Sequence, residues 1–152
     1  TVPWRWKTDN ILTHDDVSRK DGDDSPARLY ITSAYDPDKV SFGKKLKFKA
    51  GQAIFGDIPI GALNYIWDTH APVGAIVENA YTDFAQMVVV ESGAQKVGLW
   101  VSEERNIYED YKRAFGEEPP LMNGVAIMTD TDNTKERATA YYGDIQFVSV
   151  GK

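Results

Sequence analysis

Ala126-Ile127-Met128-Thr129-Asp130-Thr131-Asp132-Asn133-Thr134, followed by Tyr141-Tyr142-Gly143-Asp144-Ile145-Gln146-Phe147, is the stretch whose reading decides the fold. An apolar strand runs into a short acidic loop and returns as an alternating strand that carries one carboxylate. Successive strand residues point to opposite faces, so Tyr141, Ile145 and Phe147 share one face while Tyr142, Asp144 and Gln146 share the other. Such a strand–loop–strand closes an antiparallel sheet. It specifies an architecture and no reaction.

Upstream, the same two-residue period recurs. Residues 3–8 place Trp4 and Trp6 opposite Arg5 and Lys7, and residues 27–34 place Leu29 and Ile31 opposite Arg28, Tyr30 and Thr32. Leu63 to Trp67 puts its large residues at 63, 65 and 67, and Phe84 to Glu91 reads as a buried Val- and Met-rich strand. Ser92-Gly93-Ala94 suggests a hairpin into Val97–Val101. Residues 9–25, with Asp15, Asp16, Asp21, Asp23 and Asp24, read as a polar loop.

Two helices interrupt the strands. Phe42, Leu46, Ala50, Ala53 and Ile54 recur at helical spacing after Asp36-Pro37-Asp38, with Gly56 and Pro59 as the stop. Lys44, Lys45, Lys47 and Lys49 make residues 39–55 a basic amphipathic segment, read either as a solvated helix or as a contact for an acidic protein or a membrane surface. The second helix follows Ser102 as N-cap, with Glu103 and Glu104 in its first turn, an apolar stripe of Ile107, Tyr111, Ala114 and Phe115, and Gly116 as its stop. Short strands with two connecting helices predict an all-β, mainly antiparallel jelly-roll sandwich with one or two peripheral helices. The βαβ rhythm of a parallel sheet is missing.

Composition bounds the function. The chain has 152 residues, sufficient for one domain with a sizeable core, and its net charge of −6 argues against nucleic acid as the main partner. Cysteine is absent, which removes disulfides, thiolate nucleophiles and Cys-ligated zinc. No apolar run has the length of a membrane-spanning helix. The chain starts at Thr1 with Trp4-Arg5-Trp6-Lys7 already a strand in progress, so further N-terminal residues are expected in the full-length protein.

No G-x-S-x-G, P-loop, H-E-x-x-H or dinucleotide glycine fingerprint is present. His14 and His70 fall in loops without metal-ligand spacing and read as surface histidines. A carboxylate pair for glycan hydrolysis or lyase chemistry stays open, but nothing in the sequence selects the pair. The loop Asp130-Thr131-Asp132-Asn133-Thr134 offers hard oxygen ligands of the kind Ca²⁺ prefers, or a hairpin turn bonded to its own backbone. Asp23-Asp24 is a second acidic pair of the same ambiguous kind. Asp144 needs a cation or donor in its strand, and Arg28, Lys7 or Arg105 are possible partners, with an ion as the alternative. Trp67, Trp100, Tyr65 and Tyr30, with Asn64 and Arg28, have the chemistry of a sugar-stacking face, and equally of a core.

The blocks Asp23–Tyr30, Leu63–Trp67, Glu104–Tyr111 and Ile127–Ile145 resemble a bacterial family catalogued as domain of unknown function number 3047, over nearly the whole chain. That resemblance implies an exported protein, periplasmic or extracellular, and implies no activity. The C-terminal strand–loop–strand also resembles galactose-binding-like jelly rolls, in which a carboxylate of the last strand helps to hold a structural calcium.

The leading expectation is a non-catalytic module binding glycan or another polar ligand, with Arg28, Asn64, Tyr65, Trp67 and Trp100 at the ligand and Asp130, Asp132 and Asp144 at an ion or edge. A structural or accessory subunit of a larger bacterial assembly, facing protein through residues 39–55, is the alternative. A carboxylate-dependent hydrolase or lyase is the third.

Overall fold

The computed structural model describes residues 1–34, 38, 42–55 and 61–149. Asp36-Pro37, residues 39–41, Gly56 and Pro59 of the first helix reading lie outside the described residues. In chain order the elements are β1 (Val2–Thr8), β2 (Ser25–Ser33), α1 (Phe42–Phe55), β3 (Ala62–Asp68), β4 (Ile76–Glu78), β5 (Ala85–Ser92), β6 (Val101–Arg105), α2 (Ile107–Phe115), β7 (Met122–Asp130) and β8 (Ala140–Gly143). The strands form two sheets, β6-β1-β8 and β4-β5-β3-β2-β7. The sequence reading of an all-β sandwich with two helices holds.

The core lies where the two sheets face each other. Val2, Trp4 and Trp6 project from β1 onto Leu29 and Ile31 of β2, Tyr65 and Trp67 of β3, and Val88 and Val90 of β5. Trp4 meets Trp6 edge to face at 5.4 Å, and Trp6 meets Trp67 at 6.0 Å. Each of these rings removes a large apolar area from water, and that burial is the principal term holding the sheets together.

The opposite face of the five-stranded sheet is also covered. Ile66, Met87 and Val89 pack with Val17 of the 9–24 loop and with Ala71, Ala75 and Val77. Arg28 lies 1% exposed, its guanidinium donating to Asp23 Oδ1 at 3.1 Å and to the Tyr30 hydroxyl at 3.4 Å. Asn79 Nδ2 completes the group by donating to Asp23 Oδ2 at 3.1 Å. A buried charge needs this degree of pairing, because an isolated one is strongly disfavoured. The Arg28–Asp23 pair fastens the polar loop to the sheet.

Three local expectations are corrected. Val97–Trp100 forms turns and pairs with no part of β5; Gly93 and Gly98, both at positive φ, carry the chain to the other sheet, where β6 pairs with β1. Ser102, Glu103 and Glu104 are strand residues, and the N-cap of α2 is Asn106, whose side chain accepts from the Glu109 amide at 3.3 Å. Pairing with the buried Trp4–Trp6 strand outweighs the local helix-start signal, as long-range contacts override propensity. β3 and β5 run parallel, joined through β4 without a helix, so the sheet is mixed.

β8 meets β1 with Arg5 opposite Gly143, yet the Gln146 amide donates to Pro3 O and the Val148 amide to Thr1 O. One residue more is used on the returning strand, and it is Asp144, at φ 54°. The final strand therefore continues past a β-bulge, which re-aims the carboxylate.

Candidate ligand and ion sites

The five residues expected at a ligand are divided by the architecture. Tyr65 and Trp67 are 0% exposed between the sheets, and Asn64 and Arg28 are buried on the opposite face of the same sheet. Strand alternation alone forces this separation. The Tyr65 hydroxyl donates to Asp110 Oδ2 at 2.9 Å, and Arg105 holds the same carboxylate at 2.6 and 2.9 Å. That network docks α2 against the core. Arg105 is thus committed to Asp110, and Arg28 to Asp23, so neither meets Asp144.

Trp100 alone of the five reaches solvent. It is 46% exposed beside Tyr141 at 43%, with ring centroids 6.3 Å apart. The Arg5 guanidinium lies 4.6 Å from the Trp100 ring centre, and Lys7 Nζ lies 4.4 Å from that of Tyr141. Arg5 Nε also pairs with Asp144 Oδ2 at 2.6 Å, so the bulge places a carboxylate at this cluster. Arg5, Lys7 and Tyr141 belong to the face of the three-stranded sheet opposite Trp4 and Trp6. A cavity of about 420 Å³ adjoins them, lined by Pro3, Trp4, Arg5, Ser102, Glu103, Glu104, Asp144 and Gln146. Aromatic faces bordered by cations and a carboxylate can stack a ring and hydrogen-bond its substituents.

The acidic loop gains a partner that its own sequence does not disclose. Asp24, Asp130 and Asp132 bring carboxylate oxygens within 4.8 Å of one another. Asp24 accepts from the Thr134 amide at 2.6 Å and from the Asn133 amide at 3.4 Å, which laces the 9–24 loop to the loop after β7. Burial and a shared hydrogen bond with Asp132 push Asp130 up to about 6, the mark of like charges held together. These are oxygen ligands suited to Ca²⁺. Asp144 stands outside the group, paired with Arg5, so the expected Asp130–Asp132–Asp144 set is replaced by Asp24–Asp130–Asp132. The acidic Asp23–Asp24 pair was visible in the sequence; its approach to residue 130 arises from pairing of Ser25 with Asp130 between β2 and β7.

A second carboxylate pair lies at the sandwich edge. Burial, then repulsion from Glu91 and a hydrogen bond donated to it, push Glu103 up to about 7. Lys96 donates to Glu91 at 2.6 Å and Trp6 Nε1 to Glu103 at 3.3 Å.

Fold and sites together define a two-sheet β-sandwich with exposed polar and aromatic surfaces. The chain belongs to the family described as protein of unknown function (DUF3047), which matches residues 1–146. No curated protein and no solved structure matches the chain. No helix among the described residues is long and apolar enough to cross a membrane.

Proposed function

We propose that this domain is a non-catalytic binding module that takes a polar ligand, a glycan foremost, on the outer face of the three-stranded sheet. The observation that carries the reading is the exposed Trp100–Tyr141 pair, with Arg5 over the Trp100 ring, Lys7 over the Tyr141 ring and the bulge carboxylate Asp144 paired with Arg5. Exposed aromatic rings held by neighbouring cations present apolar faces and hydrogen-bonding groups together, which is the combination a sugar ring engages. In this reading the Asp24–Asp130–Asp132 group takes Ca²⁺ and orders the loops, away from the ligand. Export to the periplasm or cell exterior fits such a role. A glycan array with wild type, Trp100→Ala and Tyr141→Ala tests it: binding reduced by either change supports the reading, and an absence of wild-type binding or indifference to both changes defeats it.

The edge strand β7 favours a second reading, that of an accessory subunit. Val125, Ile127 and Met128 are exposed on this outer strand, which pairs on one side with β2. An exposed apolar edge is suited to pairing with another chain. On α1, Phe42 and Leu46 are exposed, while Lys47 donates to Asp83 at 2.8 Å. Charge reversal at Lys45 and Lys49 would weaken co-purification of a partner held through α1, whereas Lys at Ile127 would weaken one held on β7.

A further inference from the structure

A separate cleft lies beneath the 9–24 loop, away from both surfaces above. It has a volume of about 410 Å³ and is lined by Asp15, Asp16, Val17, Ser18, Asp68, His70, Ala71 and Val77. Asp15 is 3% exposed, and neither of its carboxylate oxygens accepts a hydrogen bond. The neighbouring Thr69 hydroxyl donates to Leu12 O at 2.7 Å. Asp68 is 2% exposed; its Oδ2 accepts from the His70 and Ala71 amides, while Oδ1 is buried without a hydrogen bond. His70, whose side chain is 63% exposed, brings Nε2 to 3.5 Å from Asp15 Oδ1.

We propose that this cleft binds a small organic cation, a primary ammonium on a short apolar stem. Three buried carboxylate oxygens without hydrogen bonds form an acceptor set faced by the exposed His70 ring, with Nε2 at 3.5 Å from Asp15 Oδ1, and buried acceptors left so are costly. An ammonium supplies three donors and a compensating charge together. Val17, Ala71 and Val77 give the cleft apolar walls for the stem, and its volume falls within the range of small-molecule sites. His70 stands at the entrance and yields its place beside Asp15 to the ligand. A divalent metal fits less well, because the donor atoms of Asp15, Asp68 and His70 do not gather within the 4.8 Å span that unites Asp24, Asp130 and Asp132. Burial pushes the Asp15 carboxyl up to about 6, against the opposing pull of Thr69 and His70.

The test is titration of n-butylammonium chloride into the protein, followed by backbone amide shifts, with 1-butanol as the neutral control and ZnCl₂ as a separate arm. The expected result is saturable movement of the amides of Val17, Asp68, Ala71 and Val77 with butylammonium, and none with butanol. Asp15→Asn removes the buried charge and weakens binding by roughly thirtyfold or more. Val77→Phe leaves the carboxylates intact, fills the apolar wall and excludes the stem, so the outcome is readable even where Asp15→Asn perturbs folding. No saturable response in the wild type, an equal response to butanol, or binding unaffected by both variants overturns the proposal. So does zinc binding at these amides that butylammonium fails to compete.

Discussion

Trp4 of β1 stacks on Tyr65 of β3, ring centroids 5.4 Å apart and planes 27° from parallel. One ring comes from each sheet, so the contact joins the two layers, and Tyr65 carries it on to Asp110 and α2 through its hydroxyl. The pair sits at the structural centre of the sandwich.

Tyr65→Phe keeps the stacked ring and removes only that hydroxyl. Asp110 retains Arg105, so the expected loss is about 1–2 kcal/mol by urea unfolding, in the range for a buried hydrogen bond to a charged group. Trp67→Ala opens a cavity in the core and costs about 3–5 kcal/mol. A Trp67→Ala protein as stable as wild type would contradict the buried placement of that ring.

Trp100→Ala should behave in the opposite way. Half-exposed on the outer face, it contributes little to folding, and the unfolding midpoint should move by less than about 1 kcal/mol equivalent. Under the proposed function glycan binding falls while stability holds. A large loss of stability would assign Trp100 to packing instead.

Under the proposed function, removal of calcium is expected to lower the melting temperature, because an ion that binds only the folded chain stabilises it by mass action. The comparison is a thermal melt in millimolar CaCl₂ against the same buffer with EDTA. Asp130→Asn should erase the difference, whereas Asp144→Asn should leave it, since Asp144 pairs with Arg5 away from the trio. Equal melting temperatures in both buffers would remove the ion.

Asp15→Asn should change the pH dependence of stability. The folded-state value of Asp15 is raised to about 6 by burial, above its value of 3.8 in the unfolded chain. Its protonated form therefore favours folding; that contribution is full below pH 3.8 and is lost as pH rises through about 6. The neutral amide cannot lose it, so the variant gains on wild type between pH 4 and 7, by an amount on the order of 3 kcal/mol. Chemical denaturation of both proteins at pH 4, 5, 6 and 7 measures the gap. A gap that stays constant, or narrows with rising pH, would contradict the buried carboxylate.

Much of the architecture was legible because strands and α2 announce themselves locally. The alternation at Trp4–Trp6 and Leu29–Ile31, the Ile107–Phe115 stripe and the Gly116 stop all lie within a turn or a strand, and each forms as read. Errors arose where a partner lay far away. Ser102–Glu104 carries a sound local helix start, yet β1 claims it as a strand. The candidate sites were legible only in part for the same reason: Asp130, Asp132 and Trp100 were visible, but Asp24 joins the trio through the β2–β7 pairing, and nothing in the chain links Asp15 to Asp68 and His70.

By itself the sequence determined the β-rich class, the second helix, an acidic loop and a set of aromatic strand residues, since each follows from periodicity or turn chemistry among near neighbours. Tertiary structure alone decided which aromatics were spent on the core. Alternation tells that Tyr65 and Asn64 face opposite ways, but not that the second sheet covers one side and the 9–24 loop the other. Burial is set by what arrives from distant parts of the chain, and that is why Trp67 lies inside while Trp100, equally apolar, meets water.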